Sequence, residues 1–120
     1  MAIHNELGKV GEKIAQKYLI SNGYQILDTN WRYLKAEIDI IAQKDPSTIH
    51  IIEVKTRTNN FIGNPEEFVT PKKIKLLVSA AHEYMISKKL NAEVQFDIIA
   101  IVKNSKYETI DFIENAFYHF

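Results

Sequence analysis

Two short strings of charged residues, Glu37-Ile-Asp39 and Glu53-Val-Lys55, each lie inside an apolar, β-branched run. Residues two apart on a strand share one face, so the strings predict three carboxylates and one ammonium on a small patch of sheet. Such a cluster repels itself and costs desolvation free energy unless a cation or a substrate resolves it. For any one of these residues alone, the solvated side of a strand is the better explanation. The four together, flanked by isoleucines, favour a site.

The elements that must position these residues follow from hydrophobic periodicity and turn signals. Helices are predicted over about 5–21 and from Pro71 onward, with Thr70 as the N-cap of the second. Strands are predicted over about 24–32, 37–43, 48–56, 94–102 and 108–113. The order αβββαββ, with strands that are apolar on both faces, predicts an α/β fold with a mixed central sheet flanked by helices. We expect a single domain over residues 1–120.

The first helix has a predicted apolar face with a strip of small residues beside it. Its predicted buried stripe contains Leu7, Val10, Ile14 and Tyr18. Beside it runs a strip of small residues, Gly8, Gly11 and Ala15. Because a glycine inside a helix costs about 1 kcal/mol against alanine, this strip predicts that another element approaches closely there.

The register of the second and third strands decides whether the charged groups meet. An antiparallel hairpin centred on Pro46 places Asp39 opposite Glu53 and Glu37 opposite Lys55, with opposed Cβ atoms roughly 4.5–5.5 Å apart. A register changed by one residue would separate the carboxylates onto two faces.

The predicted carboxylate pair has the chemistry of a hard-cation site. Mg²⁺ or Mn²⁺ takes oxygen ligands, which Asp39, Glu53 and the backbone carbonyl of Val54 could supply. Lys55 then has two roles open to it: to orient or deprotonate a water, or to stabilise charge on a phosphoryl oxygen. Together these groups indicate metal-assisted hydrolysis of a phosphodiester.

Basic and polar residues near the second helix are candidate nucleic-acid contacts. Thr70, Lys72 and Lys73 cluster at its N-terminus, where anions bind readily, and Arg57 follows the third strand. A solvated helix face and a plain loop arginine are the alternatives. Phe61, in the long loop before Val69, could stack on a base or simply anchor the loop.

An acid on one strand followed by Glu-x-Lys on the next resembles the PD-(D/E)XK nuclease superfamily. The wider pattern resembles the YraN-like family, an uncharacterised, endonuclease-like family similar to Holliday-junction resolvases. The segments that carry this resemblance include Gly11-Glu-Lys13, Gly23-Tyr24, Asn30-Trp-Arg32, Glu37-Ile-Asp39, Val54-Lys-Thr-Arg57, Val69-Thr-Pro71, Lys73, Phe96-Asp97 and Ile113-Glu-Asn-Ala-Phe117. The resemblance spans nearly the whole chain.

The resemblance implies a restriction-endonuclease-like core with Asp39 and Glu53 as metal ligands and Lys55 as the catalytic lysine. Glu12 matches a first-helix glutamate that joins the metal site in resolvases, and an exposed glutamate making an i,i+4 contact is the alternative. Glu37 is expected to support Lys55 from outside the metal shell, with a second-ligand role as the other choice. Ala36 stands where the family usually has glycine. Leu34 and Lys35 occupy a stretch that is usually richer in arginine.

Composition bounds these hypotheses without choosing among them. The 15 Lys and Arg balance the 15 Asp and Glu, so net charge does not announce a nucleic-acid binder. The chain has no cysteine and no apolar run of membrane-spanning length, which fits a cytoplasmic protein without a membrane partner.

The first hypothesis is a Mg²⁺- or Mn²⁺-dependent nuclease acting on DNA, with branched, flapped or single-stranded forms as candidate substrates. The resemblance to resolvases suggests a homodimer. The alternatives are a nucleic-acid-binding or adaptor domain that lacks useful turnover and a protein-interaction module using the aromatic tail over 114–120.

Overall fold

A computed structural model describes residues 2–59 and 69–117, with side chains described from Glu6 onward. Phe61, the candidate stacking residue, and the tail over 118–120 lie outside the described residues. The elements, in chain order, are α1 (Ala2–Ser21), β1 (Gln25–Tyr33), β2 (Ala36–Gln43), β3 (Thr48–Arg57), α2 (Pro71–Ser87), β4 (Glu93–Lys103) and β5 (Glu108–Ile113). The predicted order αβββαββ is therefore confirmed.

The strands form one mixed sheet in the order β1-β2-β3-β4-β5. Only β3 and β4 pair in parallel, whereas the other neighbours are antiparallel. Parallel neighbours need a crossover connection, and α2 lies in that connection. Thr70 caps α2 as predicted, since its side chain accepts a hydrogen bond from the backbone N–H of Lys73 and Pro71 begins the helix.

Each face of the sheet carries its own buried cluster. The cluster under α2 includes Ile38, Ile41, Ile51, Leu77 and Ile98. The cluster under α1 includes Ala15, Leu19, Ile40, Ile52 and Ile99. Alternate residues of β3 and β4 thus pack into opposite layers, which explains why these strands are apolar at both odd and even positions.

The inner face of α1 runs through Gly11, Ala15 and Leu19, so the predicted stripe is wrong at Val10, whereas Ile14 packs partly buried against the same cluster. Val10 is 40% exposed, whereas Ala15 and Leu19 are fully buried. A Cβ added to Gly11 would lie 1.8 Å from the Thr56 hydroxyl oxygen. The helix therefore sits against β3 more closely than any side chain at position 11 would allow, and the close approach that the glycines predicted is confirmed at Gly11.

Two further features bear on the sequence-based expectations. Within the described residues, no helix is both long and apolar enough to cross a bilayer. The start of the aromatic tail is docked on the sheet: the Ala116 N–H donates to the Phe96 carbonyl at 2.8 Å, and the rings of Phe96 and Phe117 lie 5.2 Å apart.

Candidate metal and catalytic site

The site lies where β2 and β3 stop pairing. The ladder joins Ala42 to His50, Ile41 to Ile51 and Ile40 to Ile52, which is the predicted register. It does not continue to Asp39 and Glu53. Instead, the Asp39 carboxylate accepts the Val54 N–H at 2.8 Å. The Asp39 side chain thus takes the hydrogen bond that a backbone carbonyl of β2 would otherwise accept, and the β2–β3 ladder ends there.

The alternation of faces along β2 changes phase at the same point. Ile38 and Ile41 both pack under α2, whereas Ile40 packs under α1. On the neighbouring strand, Asn30 has a positive φ of 51°, a left-handed conformation that asparagine tolerates better than most residues. Asp39 therefore occupies an irregular point of the sheet, at which the strand passes from one layer to the other.

Glu53 and Lys55 keep the predicted common face. Ile49 and Ile51 pack under α2, and strand alternation puts residues 53 and 55 on that face. Glu53 is only 5% exposed and forms an ion pair with Lys73 of α2. Lys55 is partly buried.

Glu37 makes a different contact from the one predicted. It pairs across the sheet with Arg32, and their side chains form an ion pair of 3.4 Å. The predicted opposition of Glu37 and Lys55 is absent from the β2–β3 ladder, because the ladder has already ended. The structure thus places Glu37 beside a β1 arginine, at the edge of the site.

Burial and like charge perturb the proton affinity of Asp39. Burial is the largest cause and the Glu53 carboxylate is the second; together they raise the pKa of Asp39 to about 8 against the opposing effect of the Val54 N–H. Glu12 raises this pKa further, whereas Lys73 lowers it. Burial and Glu53 therefore favour the protonated carboxyl, whereas a bound cation would favour the ionised one.

The ammonium of Lys55 is perturbed in the direction expected for an amine in such a site. Burial lowers its pKa, and the charge of Lys73 lowers it further, while Glu53 and Asp39 act in the opposite sense. Lys55 therefore lies within the electrostatic reach of both carboxylates and of the α2 lysine. Perturbed groups of opposite type in one place are typical of functional sites.

Glu12 reaches the same region from the α1 side. It is partly buried, and its carboxylate accepts a hydrogen bond of 3.0 Å from the Asn30 amide. Its charge raises the pKa of Asp39, so Glu12 lies near the point in β2 where the alternation of faces shifts. The neighbouring Gly11 brings this turn of the helix against β3. Glu12 is therefore oriented toward the sheet.

The oxygen donors fit a hard divalent cation in chemistry. Asp39 and Glu53 offer two carboxylates that repel each other, and such a repulsion is relieved by a cation. The N–H and C=O of a strand residue point toward the same neighbour. Because the Val54 N–H points to Asp39, the Val54 carbonyl faces the same gap. Within the described residues, no group of three or more His, Cys, Asp or Glu is already gathered as a metal cluster.

The predicted nucleic-acid contacts divide into two groups. Lys73 points into the site and pairs with Glu53, while Thr70 and Lys72 are exposed at the start of α2. A cleft of about 260 Å³ opens there, lined by Lys35, Glu37, Thr70, Lys72, Lys73 and apolar residues of α2. Arg57 is exposed at the end of β3, and its charge acts on Lys55.

The buried His50–Asp97 pair belongs to structure rather than to this site. Nδ1 of His50 lies 2.7 Å from the Asp97 carboxylate, and both side chains are at most 7% exposed. The same carboxylate accepts the Asn115 N–H at 3.0 Å. As its parity predicted, His50 faces the layer opposite to Glu53. The pair ties the C-terminal turn to the start of β4.

Sequence reasoning missed two members of the site. It treated Lys73 as a surface contact, although a lysine three residues after an N-cap and one helical turn from Leu76 and Leu77 faces partly inward. It gave Asn30 no role in the site, although asparagine is one of the few residues that readily adopt a left-handed conformation within a strand. Both signals were present but weak.

Comparison with known proteins places this chain in a family. The model of "Uncharacterised protein family UPF0102" matches residues 11–101. The chain belongs to the UPF0102 family. This is the YraN-like family that the sequence motifs indicated.

Individual relatives match along their length. A UPF0102 protein of Flavobacterium psychrophilum is 53% identical over 120 residues, covering 100% of both chains. One from Christiangramia forsetii is 50% identical with the same coverage. One from Porphyromonas gingivalis is 40% identical and covers 98% of this chain and 87% of its own. The segment of this chain that the family model matches includes Glu12, Asp39, Glu53, Lys55 and Lys73.

Proposed function

We propose that this UPF0102 protein is a Mg²⁺- or Mn²⁺-dependent nuclease that hydrolyses DNA phosphodiester bonds. The observation that carries the proposal is the Asp39 carboxylate, which sits at the divergence of β2 and β3 with its pKa raised to about 8 beside buried Glu53. A protein has little structural use for two buried carboxylates that repel each other, because hydrophobic residues would be more stable there. The same repulsion is useful where a cation is to be held.

Asp39, Glu53 and the Val54 carbonyl would hold the ion, and Glu12 would complete or orient this shell from α1. A bound divalent cation polarises a phosphoryl oxygen and lowers the pKa of a coordinated water. Asn30 fixes the Glu12 side chain at 3.0 Å, so the α1 contribution is oriented in advance. The buried surroundings strengthen these interactions relative to water.

Lys55 would act on the phosphate side of the site. As an ammonium it stabilises negative charge that develops on a phosphoryl oxygen; as a neutral amine it accepts a proton from the attacking water. Its lowered pKa brings the second role closer to neutral pH than in an ordinary lysine. Both roles require the side chain to stay on the face that it shares with Glu53.

Arg57, Thr70, Lys72 and Lys73 would contact the DNA backbone. They lie at the end of β3 and the start of α2, and Lys73 contacts the Glu53 carboxylate. Branched, flapped or single-stranded DNA is the substrate class that the resemblance to resolvases suggests. A homodimer would present two such sites, and sedimentation at several concentrations tests that assembly.

The test is cleavage of single-stranded, duplex and branched DNA with and without Mn²⁺. We expect the wild-type protein to cleave at least one form and Asp39→Ala and Lys55→Ala to lose cleavage. Asp111→Ala, which removes an exposed carboxylate on β5, is the matched control and should keep it. Cleavage that survives in both site variants would identify a contaminant and remove support for the proposal.

A second candidate function is a DNA-binding or adaptor domain without useful turnover. The specific observation in its favour is the Lys73–Glu53 ion pair, which gives the buried carboxylate a partner that belongs to the protein. Binding of branched DNA in a mobility-shift assay, with no cleavage by wild-type protein at any Mn²⁺ concentration, would favour this candidate.

A further inference from the structure

The amino group of Lys73 is the counter-charge of the most buried carboxylate in the site. Glu53 is 5% exposed, whereas the Lys73 side chain is 37% exposed and extends from the first turn of α2. A buried carboxylate without a positive partner is strongly unfavourable. The charge of Lys73 also lowers the pKa of Asp39 and the pKa of Lys55, so it stabilises the carboxylates and repels the second ammonium.

This ammonium and a divalent cation would need the same place. Lys73 contacts Oε2 of Glu53, so a cation held between Asp39 and Glu53 would share this carboxylate with the ammonium. Two positive charges on one buried carboxylate repel each other strongly. This repulsion would favour movement of the Lys73 amino group away from Glu53 when metal binds.

The structure also offers the displaced amino group a destination. Lys73 lines the cleft of about 260 Å³ together with Lys35 and Lys72, and Glu37 is the acidic residue on its wall. The helix itself need not move, because the Lys73 N–H remains bonded to the Thr70 hydroxyl at 3.1 Å. Only the flexible side chain has to rotate.

We propose that Lys73 is a resident counter-ion that a divalent cation must displace, and that the freed ammonium then holds a nucleic-acid phosphate in the adjoining cleft. This rests on the proposed function, since it presupposes a metal site at Asp39 and Glu53. It makes metal binding and phosphate binding mutually reinforcing, because each favours the state in which Lys73 has left Glu53. Such coupling is reciprocal by thermodynamic necessity.

The first test is calorimetric titration of Mn²⁺ into wild-type protein, Lys73→Gln and Lys72→Gln. Lys72→Gln removes the same charge from an exposed neighbour and so measures the general electrostatic effect. We expect Lys73→Gln to bind Mn²⁺ about tenfold more tightly than wild type, since a charge-assisted hydrogen bond is typically worth that much or more. Lys72→Gln should change the affinity less than about threefold.

Thermal unfolding is the second measurement and reports whether the variants fold. Without metal, Lys73→Gln should unfold at a lower temperature because Glu53 has lost its partner, and Mn²⁺ should raise its midpoint more than it raises that of wild type. Lys73→Arg keeps the charge and should behave as wild type in both measurements.

The third measurement repeats the Mn²⁺ titration in the presence of a single-stranded phosphorothioate oligonucleotide, which resists hydrolysis. The oligonucleotide should tighten Mn²⁺ binding several-fold in wild type and much less in Lys73→Gln. An equal gain in both proteins, or no gain in wild type, would overturn the coupling.

The remaining outcomes separate this inference from the proposed function. Equal Mn²⁺ affinity in wild type and Lys73→Gln, or an equal gain in Lys72→Gln, overturns the displacement of Lys73 while leaving the metal site intact. Absence of Mn²⁺ binding in every folded variant overturns both.

Discussion

Replacing Asp39 by asparagine should stabilise the protein at alkaline pH, although it removes a residue that we assign to catalysis. Asparagine keeps a carbonyl oxygen that can accept the Val54 N–H, now at 2.8 Å from Asp39, and it carries no charge. It therefore imitates the protonated carboxyl, which burial and Glu53 make the favoured form below about pH 8.

The size of the effect follows from proton linkage. The Asp39 carboxyl has an ordinary pKa of 3.8 and a folded-state pKa of about 8, so between these values the folded protein binds a proton that the unfolded chain releases. Stability from this group is fully present below about pH 4 and is lost as the pH rises through about 8. At about 1.4 kcal/mol per tenfold change in proton affinity, the upper limit is about 6 kcal/mol. Lys73 and water can move toward the ionised carboxylate, so we expect about 2–3 kcal/mol.

The assay is urea unfolding of wild type and Asp39→Asn at pH 5 and pH 8.5 without divalent ions. Asp39→Asn should be more stable than wild type by less than about 1 kcal/mol at pH 5 and by about 2–3 kcal/mol at pH 8.5. Asp111→Asn, at an exposed position on β5, controls for the loss of a negative charge. A difference that does not grow with pH, or a less stable Asp39→Asn at pH 8.5, would refute the reasoning.

Three further predictions test other parts of the structure. Gly11→Ala should lower the free energy of unfolding by about 2 kcal/mol, because the added Cβ would lie 1.8 Å from the Thr56 hydroxyl oxygen; urea unfolding measures this, and Thr56→Ala should recover part of the loss. Asp97→Ala should cost about 3 kcal/mol or more in the same assay, since it leaves buried His50 without its partner at 2.7 Å; an effect below about 1 kcal/mol would contradict the structural role. Lys55→Met should lower the DNA cleavage rate by about 10²–10³-fold without weakening Mn²⁺ binding in calorimetry, and weaker Mn²⁺ binding would show that Lys55 supports the metal instead.

The element order and the sheet were predictable because local signals agree with the tertiary structure. Thr70 and Pro71 mark the start of α2, and the apolar runs of β3 and β4 on both parities reflect packing into two layers. The β2–β3 register followed from a turn centred on Pro46 and is the register observed. These features depend on residues that are close together in the sequence, so they can be read from the sequence itself.

The inner face of α1 was harder to predict, because hydrophobicity alone favours the larger residues. Val10 is 40% exposed, while Gly11 meets Thr56. The sheet beneath α1 is already filled by isoleucines, so the helix contributes small residues to fit. That choice depends on the volume of the opposing surface, which the helix sequence does not contain.

The details of the site also depend on contacts between distant segments. The ladder ends before Asp39 because its carboxylate takes the Val54 N–H, and Glu37 therefore pairs with Arg32 instead of Lys55. Lys73 reaches Glu53 only because α2 crosses that face of the sheet. The residue types of the site were evident from the two charged strings, but their pairing was decided by where the strands diverge.

The central claim is that Asp39 and Glu53 hold one divalent cation beside Lys55. Anomalous diffraction from crystals soaked in Mn²⁺ tests it most directly. We predict one anomalous peak within about 2.5 Å of an oxygen from each carboxylate, with the Lys73 amino group moved away from Glu53. Absence of a peak there in a crystal whose site is open to solvent, or a peak bound elsewhere, would contradict the claim.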